Sequence, residues 1–371
     1  MNNQINLIQI LSEIVQIPSF SREEKKLAHY LYEFCLKHNL PAEKQSGNVL
    51  IKFLTGSNKC LIFDAHMDTV KPGDLKLWKY PPFGKKSGVI KAGKMYGLGV
   101  SDVKSGIIAL LDLALNFYKE KPPIDLFLIF STSEEIDSQG SKLFLSFFNK
   151  NYKAKYKDIA AVVVEPTDLR YVELGYRSTA IINVITYGDS GHGARPEEIK
   201  RNAITNMIKV INNINNLETK LKNKAQDEVL GCPTLTLTSI KSLEGSYNQI
   251  PSQCSSIWDV RVTPKIEKII LSILEKAIGK DAIINMIKPP GGCIKVNPKE
   301  KLVKIFQQII PNIKIQSAKG ANNTGCFVRA GIPAVTFGPG QKAVIHKENE
   351  YVELKNINEA VTIYKQIINY F

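Results

Sequence analysis

The sequence predicts an α/β domain interrupted by an inserted βαββαβ (ferredoxin-like) domain, and three observations lead to this prediction. Short apolar runs alternate with helical patterns at both ends of the chain, as expected when the strands of a buried sheet alternate with helices. From about 177 to 288 the pattern changes, and 234–238 alternates strictly between threonine and leucine. A length of 371 residues is sufficient for two domains. We therefore expect one domain to comprise 1–176 and 289–371, and the other 177–288.

The elements of the α/β domain follow from local patterns. Ser21 and Glu24 have the spacing of a capping box, which predicts a helix from there to about His38. Apolar residues at helical spacing predict a second helix within 107–118 and an amphipathic helix over 354–371. Five apolar runs bounded by polar or turn residues are typical of buried strands. They cover 49–54, 60–63, 126–130, 160–164 and 334–337.

The inserted domain is predicted from the order of its elements, which is that of a split βαββαβ unit. An exposed face on such a sheet can pair with its copy, so we expect this domain to form a homodimer. The predicted strands cover 179–187, 234–240, 256–262 and 282–287, and the predicted helices cover 197–216 and 265–278.

Composition and charge argue against several classes of protein. No run of 18 apolar residues predicts a membrane span, and the first residues do not resemble a secretion signal. The net charge of +14 comes from dispersed lysines, so we do not expect nucleic-acid binding, although a positive field attracts anionic substrates. Six scattered cysteines without a Cys-x-x-Cys pair indicate reduced thiols and a cytoplasmic protein.

The chain has only five histidines, and they divide into two groups. His29 and His38 fall in the first predicted helix, where surface or packing roles are expected. His66, His192 and His346 each lie in a short polar segment just after an apolar run. These three are the candidates for chemistry.

Acidic side chains occur in the same kind of segment. Asp102 follows two glycines, which allow close approach of the backbone, at the start of a predicted helix. Glu134 and Glu135 follow the apolar run at 126–130, and Glu165 follows three valines. Ligands of α/β proteins bind at the carboxyl ends of the strands. We therefore expect these acids to converge with the two histidines of the α/β domain.

These residue types together predict a centre for two divalent metal ions. Each ion would receive one imidazole and one glutamate, with Asp102 shared between them. Nitrogen and carboxylate ligands favour zinc-like ions over magnesium. Glu134 is then free to take a proton from water and pass it to a leaving amine, and Asp68 is placed to hold the second imidazole nitrogen of His66. The expected metal ligands are His66, Asp102, Glu135, Glu165 and His346.

Two other classes of function remain open at this point. Gly97 and Gly99 begin a dinucleotide-binding pattern, but Asp102 replaces its third glycine and its carboxylate would repel a pyrophosphate. A nucleotide-dependent oxidoreductase therefore depends on this loop alone. A non-catalytic metal-binding module is the other alternative, although metal binding by itself has no use for a general base such as Glu134.

The ordered motifs resemble the metallopeptidase family of acetylornithine deacetylase, succinyl-diaminopimelate desuccinylase and glutamate carboxypeptidase. The resemblance covers essentially the whole chain. It implies two zinc or cobalt ions in the catalytic domain, and a lid domain that usually dimerises. One ion would be held by His66, Asp102 and Glu165, and the other by Asp102, Glu135 and His346. The motifs are His66-Met67-Asp68, Asp102-Val103-Lys104-Ser105-Gly106, Glu134-Glu135, Glu165-Pro166 and His346.

For the inserted domain the resemblance implies contacts with the substrate. The segment 190–192 reads Ser-Gly-His, and the matching histidine of the family reaches the partner subunit's active site and stabilises an oxyanion. Arg261 resembles the arginine that binds the substrate carboxylate, with an ordinary surface ion pair as the alternative. Asn248 and Arg177 occupy positions that line the substrate site in the family.

The sequence departs from the family pattern in two places. The loop 320–325 reads Gly-Ala-Asn-Asn-Thr-Gly where Gly-Thr-Ser-Asp is common, and Arg195 adds an unusual cation near His192. Similarity at 175–178 and 338–340 favours deacetylation of N-acetylornithine or N-acetyllysine as the reaction. Desuccinylation of succinyl-diaminopimelate and dipeptide cleavage are the alternatives. The expected partners are a small anionic acyl-amino acid and a second copy of the chain.

Overall fold

The computed structural model describes residues 5–242 and 245–371, which divide into two compact units. The first unit extends to Leu174 and resumes at Val296–Gln316 and Ala321–Phe371. The second unit comprises Gly175–Lys295 and Ser317–Gly320. We propose that the second unit is the inserted domain expected at 177–288.

The first stretch of the first unit alternates strands with helices, which confirms the α/β prediction. Its helices are α1 (Leu7–Gln16), α2 (Lys25–Lys37), α3 (Ser105–Lys119) and α4 (Gln139–Asn151). Its strands are β1 (Ala42–Gln45), β2 (Asn48–Phe53), β3 (Lys59–His66), β4 (Val89–Lys91), β5 (Lys94–Tyr96), β6 (Asp125–Ser131), β7 (Asp158–Val163) and β8 (Tyr171–Tyr176), the last of which continues into the second unit.

The capping box predicted at the start of α2 is wrong. The Ser21 hydroxyl donates to a carboxylate oxygen of Asp68 at 2.7 Å. The Glu24 carboxylate accepts hydrogen bonds from the amides of Arg22 and Ser133, both at 2.9 Å. Ser21 and Glu24 therefore both form tertiary hydrogen bonds, although their spacing predicted that they would cap the helix.

The second unit has the predicted βαββαβ order. Its main sheet is antiparallel with the strand order β11-β13-β9-β14, and helices α5 and α6 pack on the face that includes Trp258. Its helices are α5 (Ala203–Lys224) and α6 (Ile270–Ile278). Its strands are β9 (Ser178–Tyr187), β10 (Gly191–His192), β11 (Thr234–Ser242), β12 (Gln249–Ile250), β13 (Gln253–Val262), β14 (Ala282–Lys288) and β15 (Ile294–Lys295).

Both helices of this unit begin later than predicted. Pro196–Glu198 forms only a short turn, and the Asn202 side chain caps α5 by accepting from the amides of Ile204 and Thr205. The asparagine supplies the acceptor that the free amides of a first helical turn require. It therefore fixes the beginning of α5 several residues after the predicted start at 197.

The chain then completes the first unit, whose main sheet has the order β1-β2-β6-β3-β7-β17-β8. Strands β6, β3, β7 and β17 are parallel neighbours, so their carboxyl ends meet at one edge. Within 5–242 and 245–371, none of the helices has the length and apolar character needed to cross a bilayer. The last elements are α7 (Lys301–Ile309), β16 (Lys314–Ala318, which ends in the second unit), α8 (Thr324–Arg329), β17 (Ala334–Thr336), β18 (Tyr351–Glu353) and α9 (Leu354–Tyr370).

Aromatic packing holds β6, one of the central strands of this sheet, in place. Phe127 of β6 is fully buried, and its ring lies 5.2 Å from that of Phe148 and 6.2 Å from that of Phe144. Removing such a side chain from a packed core costs about 3–5 kcal/mol. The loops that follow the strands therefore begin from well-fixed positions.

Candidate metal centre

The first half of the candidate centre is formed around His66, the last residue of β3. The imidazole is buried, and its Nε2 lies 3.2 Å from Oδ1 of Asp102. The same nitrogen lies 3.7 Å from Oε1 of Glu165, which follows the neighbouring parallel strand β7. One imidazole and two carboxylates thus converge, as predicted from the strand ends.

The second half is formed around His346. Its Nε2 lies 3.0 Å from Oε1 of Glu135 and 3.2 Å from Oδ2 of Asp102. The two oxygens of Asp102 therefore face two different histidines. Such an arrangement would allow one carboxylate to bind two adjacent cations.

The donor set fits divalent metal ions. Ligand atoms of His66, Glu134 and Glu165 lie within 4.8 Å of one another, and so do those of His66, Asp102 and Glu135. Closely spaced carboxylates repel one another unless cations compensate their charge. Two imidazoles among carboxylates suit zinc-like ions better than magnesium, which prefers oxygen ligands alone.

The pKa values of the cluster reflect this crowding. Burial raises the pKa of Glu165, and the neighbouring Asp102 and Glu134 raise it further. Hydrogen bonds to Asp102 and Glu135 raise the pKa of His346 to about 10. Although burial opposes it, Glu165 and Asp102 also raise the pKa of His66. The carboxylates of the cluster thus favour the protonated form of both imidazoles.

The Glu134 carboxylate lies among other charged groups, which shift its pKa. Burial raises the pKa of Glu134 to about 8, and the carboxylates of Glu135 and Asp102 add to this effect while His66 opposes it. A carboxylate with a pKa near neutrality can both accept and release a proton under physiological conditions. This is the property expected of a general base.

Asp68 supports the centre in a way that differs from the prediction. The nearest partner of His66 Nδ1 is the main-chain oxygen of Asp68 at 2.9 Å, whereas a carboxylate oxygen of Asp68 lies 3.5 Å away. The carboxylate instead accepts the amides of Glu134 at 2.9 Å and Glu135 at 3.1 Å. It therefore orients the loop that carries both glutamates.

Comparison with known proteins decides the family. The family model of Peptidase family M20/M25/M40 matches residues 62–370. The chain belongs to this family. It is a metal-dependent amide hydrolase, as predicted.

Relatives of this M20 chain match along most of its length. A succinyl-diaminopimelate desuccinylase of Wigglesworthia glossinidia brevipalpis is 31% identical over 333 residues, covering 84% of this chain and 84% of the relative. A protein of the same name from Wolbachia pipientis wMel is 25% identical over 391 residues, covering 99% of this chain and 94% of the relative.

A solved structure supports the fold. The crystal structure of a dinuclear metal-binding M20 peptidase from Bacillus subtilis matches with a TM-score of 0.70 at 12% identity, covering 98% of this chain and 96% of that one. An identity this low supports the shared architecture alone.

Two buried acids of this M20 chain were not predicted from the sequence. Glu350 accepts three backbone amides of the loop that carries Asp102. Asp64, inside β3, accepts the hydroxyls of Ser131 at 2.6 Å and Ser141 at 2.5 Å. The available signal was an acid within an apolar run for Asp64, and an acid four residues after a candidate ligand histidine for Glu350.

In the second unit, the structure brings His192 and Asn248 together. Nε2 of His192 lies 2.9 Å from the side-chain nitrogen of Asn248, and strands β10 and β12 pair beside them. The amide of Ala194 donates to Nδ1 of His192 at 3.1 Å. The His192 ring therefore lies between a main-chain amide and the side chain of Asn248.

The two predicted arginines form a second group in the same unit. Arg261 pairs through two hydrogen bonds with Asp259, at 2.6 and 2.9 Å, on the face of β13 opposite the buried Trp258. Arg177 donates to the main-chain oxygen of Cys232 and the hydroxyl of Thr234. The ion pair considered as an alternative for Arg261 is therefore present. The exposed Arg195 pairs with Glu198.

The loop that departs from the family pattern is held by hydrogen bonds to other parts of the chain. Asn322 donates to the Thr336 hydroxyl at 3.1 Å and accepts from the Thr324 amide at 3.1 Å. Asn323 is buried and donates to Asp64 at 3.3 Å. Asn322 therefore already uses one N–H donor and its oxygen in bonds within the chain.

Proposed function

We propose that this chain hydrolyses the amide bond of a small N-acyl amino acid with two divalent metal ions, zinc or cobalt. The observation that carries the proposal is the position of Asp102, whose two oxygens face His66 and His346. The proposed ligands of one ion are His66, Asp102 and Glu165, and those of the other are Asp102, Glu135 and His346.

Within this proposal Glu134 transfers the proton. Bound divalent ions would polarise the amide carbonyl and acidify water. The Glu134 carboxylate accepts a proton from the attacking water and delivers it to the leaving nitrogen, while the remaining hydroxyl group joins the acyl carbon. Asp68 holds the amides of Glu134 and Glu135, so it keeps the base beside the ligands during this transfer.

Among the possible substrates, the relatives favour N-succinyl-diaminopimelate. Two relatives carry the name of that desuccinylase. N-acetylornithine and N-acetyllysine, favoured by the sequence at 175–178 and 338–340, are the second choice, and dipeptides the third. Arg261 is proposed to bind the substrate carboxylate, and Arg177 and Asn248 are proposed to line the substrate site. For Arg261 this requires sharing or breaking the pair with Asp259.

A substrate panel with metal removal tests the proposed reaction. We expect the zinc- or cobalt-loaded protein to release free amine from at least one of N-succinyl-diaminopimelate, N-acetylornithine, N-acetyllysine and simple dipeptides. Dialysis against a chelator should abolish the release, and added metal should restore it. A protein that releases amine from none of these compounds would contradict the proposal. Cofactor binding that chelators leave intact would favour the oxidoreductase.

We further propose that His192 stabilises the oxyanion across a homodimer formed by the inserted domain, with Asn248 beside it. His192→Ala is expected to lower kcat about 10²–10³-fold without changing metal content, because the residue is not a proposed ligand. His29→Ala is the matched control, since His29 is exposed on α2. Equal kcat in the two variants would remove His192 from the mechanism.

We also propose that the protein is cytoplasmic. All six cysteines are free thiols, as expected in a reducing compartment.

A further inference from the structure

Glu350 lies beneath the loop that carries the bridging aspartate and is 1% exposed. Its Oε2 accepts the amide of Gly99 at 2.9 Å. Its Oε1 accepts the amides of Ser101 at 2.7 Å and Asp102 at 3.0 Å. Its main-chain oxygen accepts the amide of Gly97 at 3.0 Å. One residue therefore accepts four backbone donors of the segment 97–102.

This loop needs such a partner because its backbone is irregular. Gly99 has a φ of 74°, and Asp102 has a φ of −121° and a ψ of 80°, so the chain follows neither a helix nor a strand. The amides of Gly99, Ser101 and Asp102 are bonded to the Glu350 carboxylate and not to a helix or strand partner, and buried amides without acceptors are costly. A glutamate carboxyl group offers several acceptor sites, so one side chain can accept several convergent amides at once.

Glu350 is also close in the chain to a candidate metal ligand. His346 precedes it by four residues, and between them Asn349 accepts the amide of Lys79 at 2.6 Å. The segment 346–350 therefore supplies one histidine of the centre and also anchors the backbone of the aspartate that histidine faces. A shift of the segment would move both groups together.

We propose that Glu350 is a positioning residue for Asp102. By fixing the backbone of 99–102 it directs one oxygen of Asp102 towards His66 and the other towards His346, both at 3.2 Å. The aspartate is then pre-organised before any ion binds, and outer partners of this kind commonly raise metal affinity 10–100-fold. The proposal rests on the proposed two-metal reaction, but it concerns the metal-free loop and is tested without substrate.

Glu350→Gln is the test variant, because glutamine keeps the size of the side chain but replaces one acceptor oxygen by an amino group. In the metal-free protein, the amides of Gly99, Ser101 and Asp102 are expected to exchange with solvent at least about tenfold faster. The Kd for zinc, measured by competition with a chromophoric chelator, is expected to rise about 10–100-fold. Excess zinc should restore two bound ions.

Asp125→Asn is the matched control. Asp125 is a buried carboxylate that accepts the amides of Thr55 at 2.7 Å and Gly56 at 3.1 Å. It lies at the beginning of β6, the opposite end from Ser131, and so away from the candidate centre. We expect this variant to lower the midpoint of thermal unfolding but to leave the Kd for zinc and the exchange of 99–102 unchanged.

The outcomes separate positioning from general stability. A wild-type zinc Kd in Glu350→Gln, or an equal loss of affinity in Asp125→Asn, would overturn the proposal. If Glu350→Gln does not fold, Glu350→Asp replaces it: the shorter side chain cannot reach all three amides, so the zinc Kd should rise at least about threefold, and an unchanged Kd again overturns the proposal. A protein that binds two zinc ions but cleaves nothing in the panel would refute the proposed function alone.

Discussion

Replacing Glu134 by alanine is expected to lower kcat about 10²–10⁴-fold while both metal ions remain bound. The side chain lies beside the candidate ligands and has a pKa raised to about 8 by burial and by nearby carboxylates. Alanine removes the group that holds the proton between water and the leaving nitrogen. Each histidine keeps its proposed carboxylate partners, so metal binding should persist.

The measurement is kcat and KM on the best substrate of the panel, together with metal content by elemental analysis. Glu359→Ala is the control, because Glu359 is exposed on α9 and is not a proposed ligand. Glu134→Asp should recover only part of the rate, since its carboxylate is withdrawn by one methylene. A Glu134→Ala rate within about tenfold of wild type would mean that another group transfers the proton.

The position of the candidate centre was predictable because it depends on a general property of parallel sheets. Parallel strands end at one edge of a sheet, and β3 and β7 are adjacent, so His66 at the end of β3 lies near Glu165 after β7. Asp102 was placed by the glycine loop that opens α3. Each of these inferences uses one segment of sequence and one topological rule.

The supporting contacts were not predictable in the same way. Glu350 accepts amides from residues about 250 positions earlier in the chain, with a separation of 249 between it and Ser101. Ser21 and Glu24 match a local helix cap, yet the fold uses both for tertiary hydrogen bonds. Local spacing shows which side chains are polar acceptors, but only the packed structure decides which distant amides they meet.

The substrate is the least predictable part of the chemistry. Arg261 was identified by its resemblance to the substrate-carboxylate arginine of the family, and in the structure it pairs with Asp259. A guanidinium with a carboxylate partner can bind substrate only by exchanging or sharing that partner. Residue identity therefore indicates an anion site, while the affinity for a particular acyl group depends on how readily the pair opens.

Replacing Asp102 by alanine is expected to release both metal ions. Each of the other four proposed ligands belongs to one ion, so this effect distinguishes Asp102 from them. Asp102 contacts both histidines, through different oxygens. Without it, His66 would retain Glu165, and His346 would retain Glu135. Two ligands at each position are fewer than a tightly held zinc ion requires, so both ions should dissociate and kcat should fall below detection.

Glu165→Ala provides the comparison that makes this prediction specific. Glu165 contacts His66 at 3.7 Å and belongs to only one proposed ion. We therefore expect Glu165→Ala to retain about one ion per chain, and Asp102→Ala to retain none, after the same dialysis against a weak chelator. Elemental analysis measures the stoichiometry, and thermal unfolding of the metal-free proteins verifies that both variants fold. Two ions bound to Asp102→Ala would show that this carboxylate is not shared, and equal losses in the two variants would show that the ions bind only as a pair.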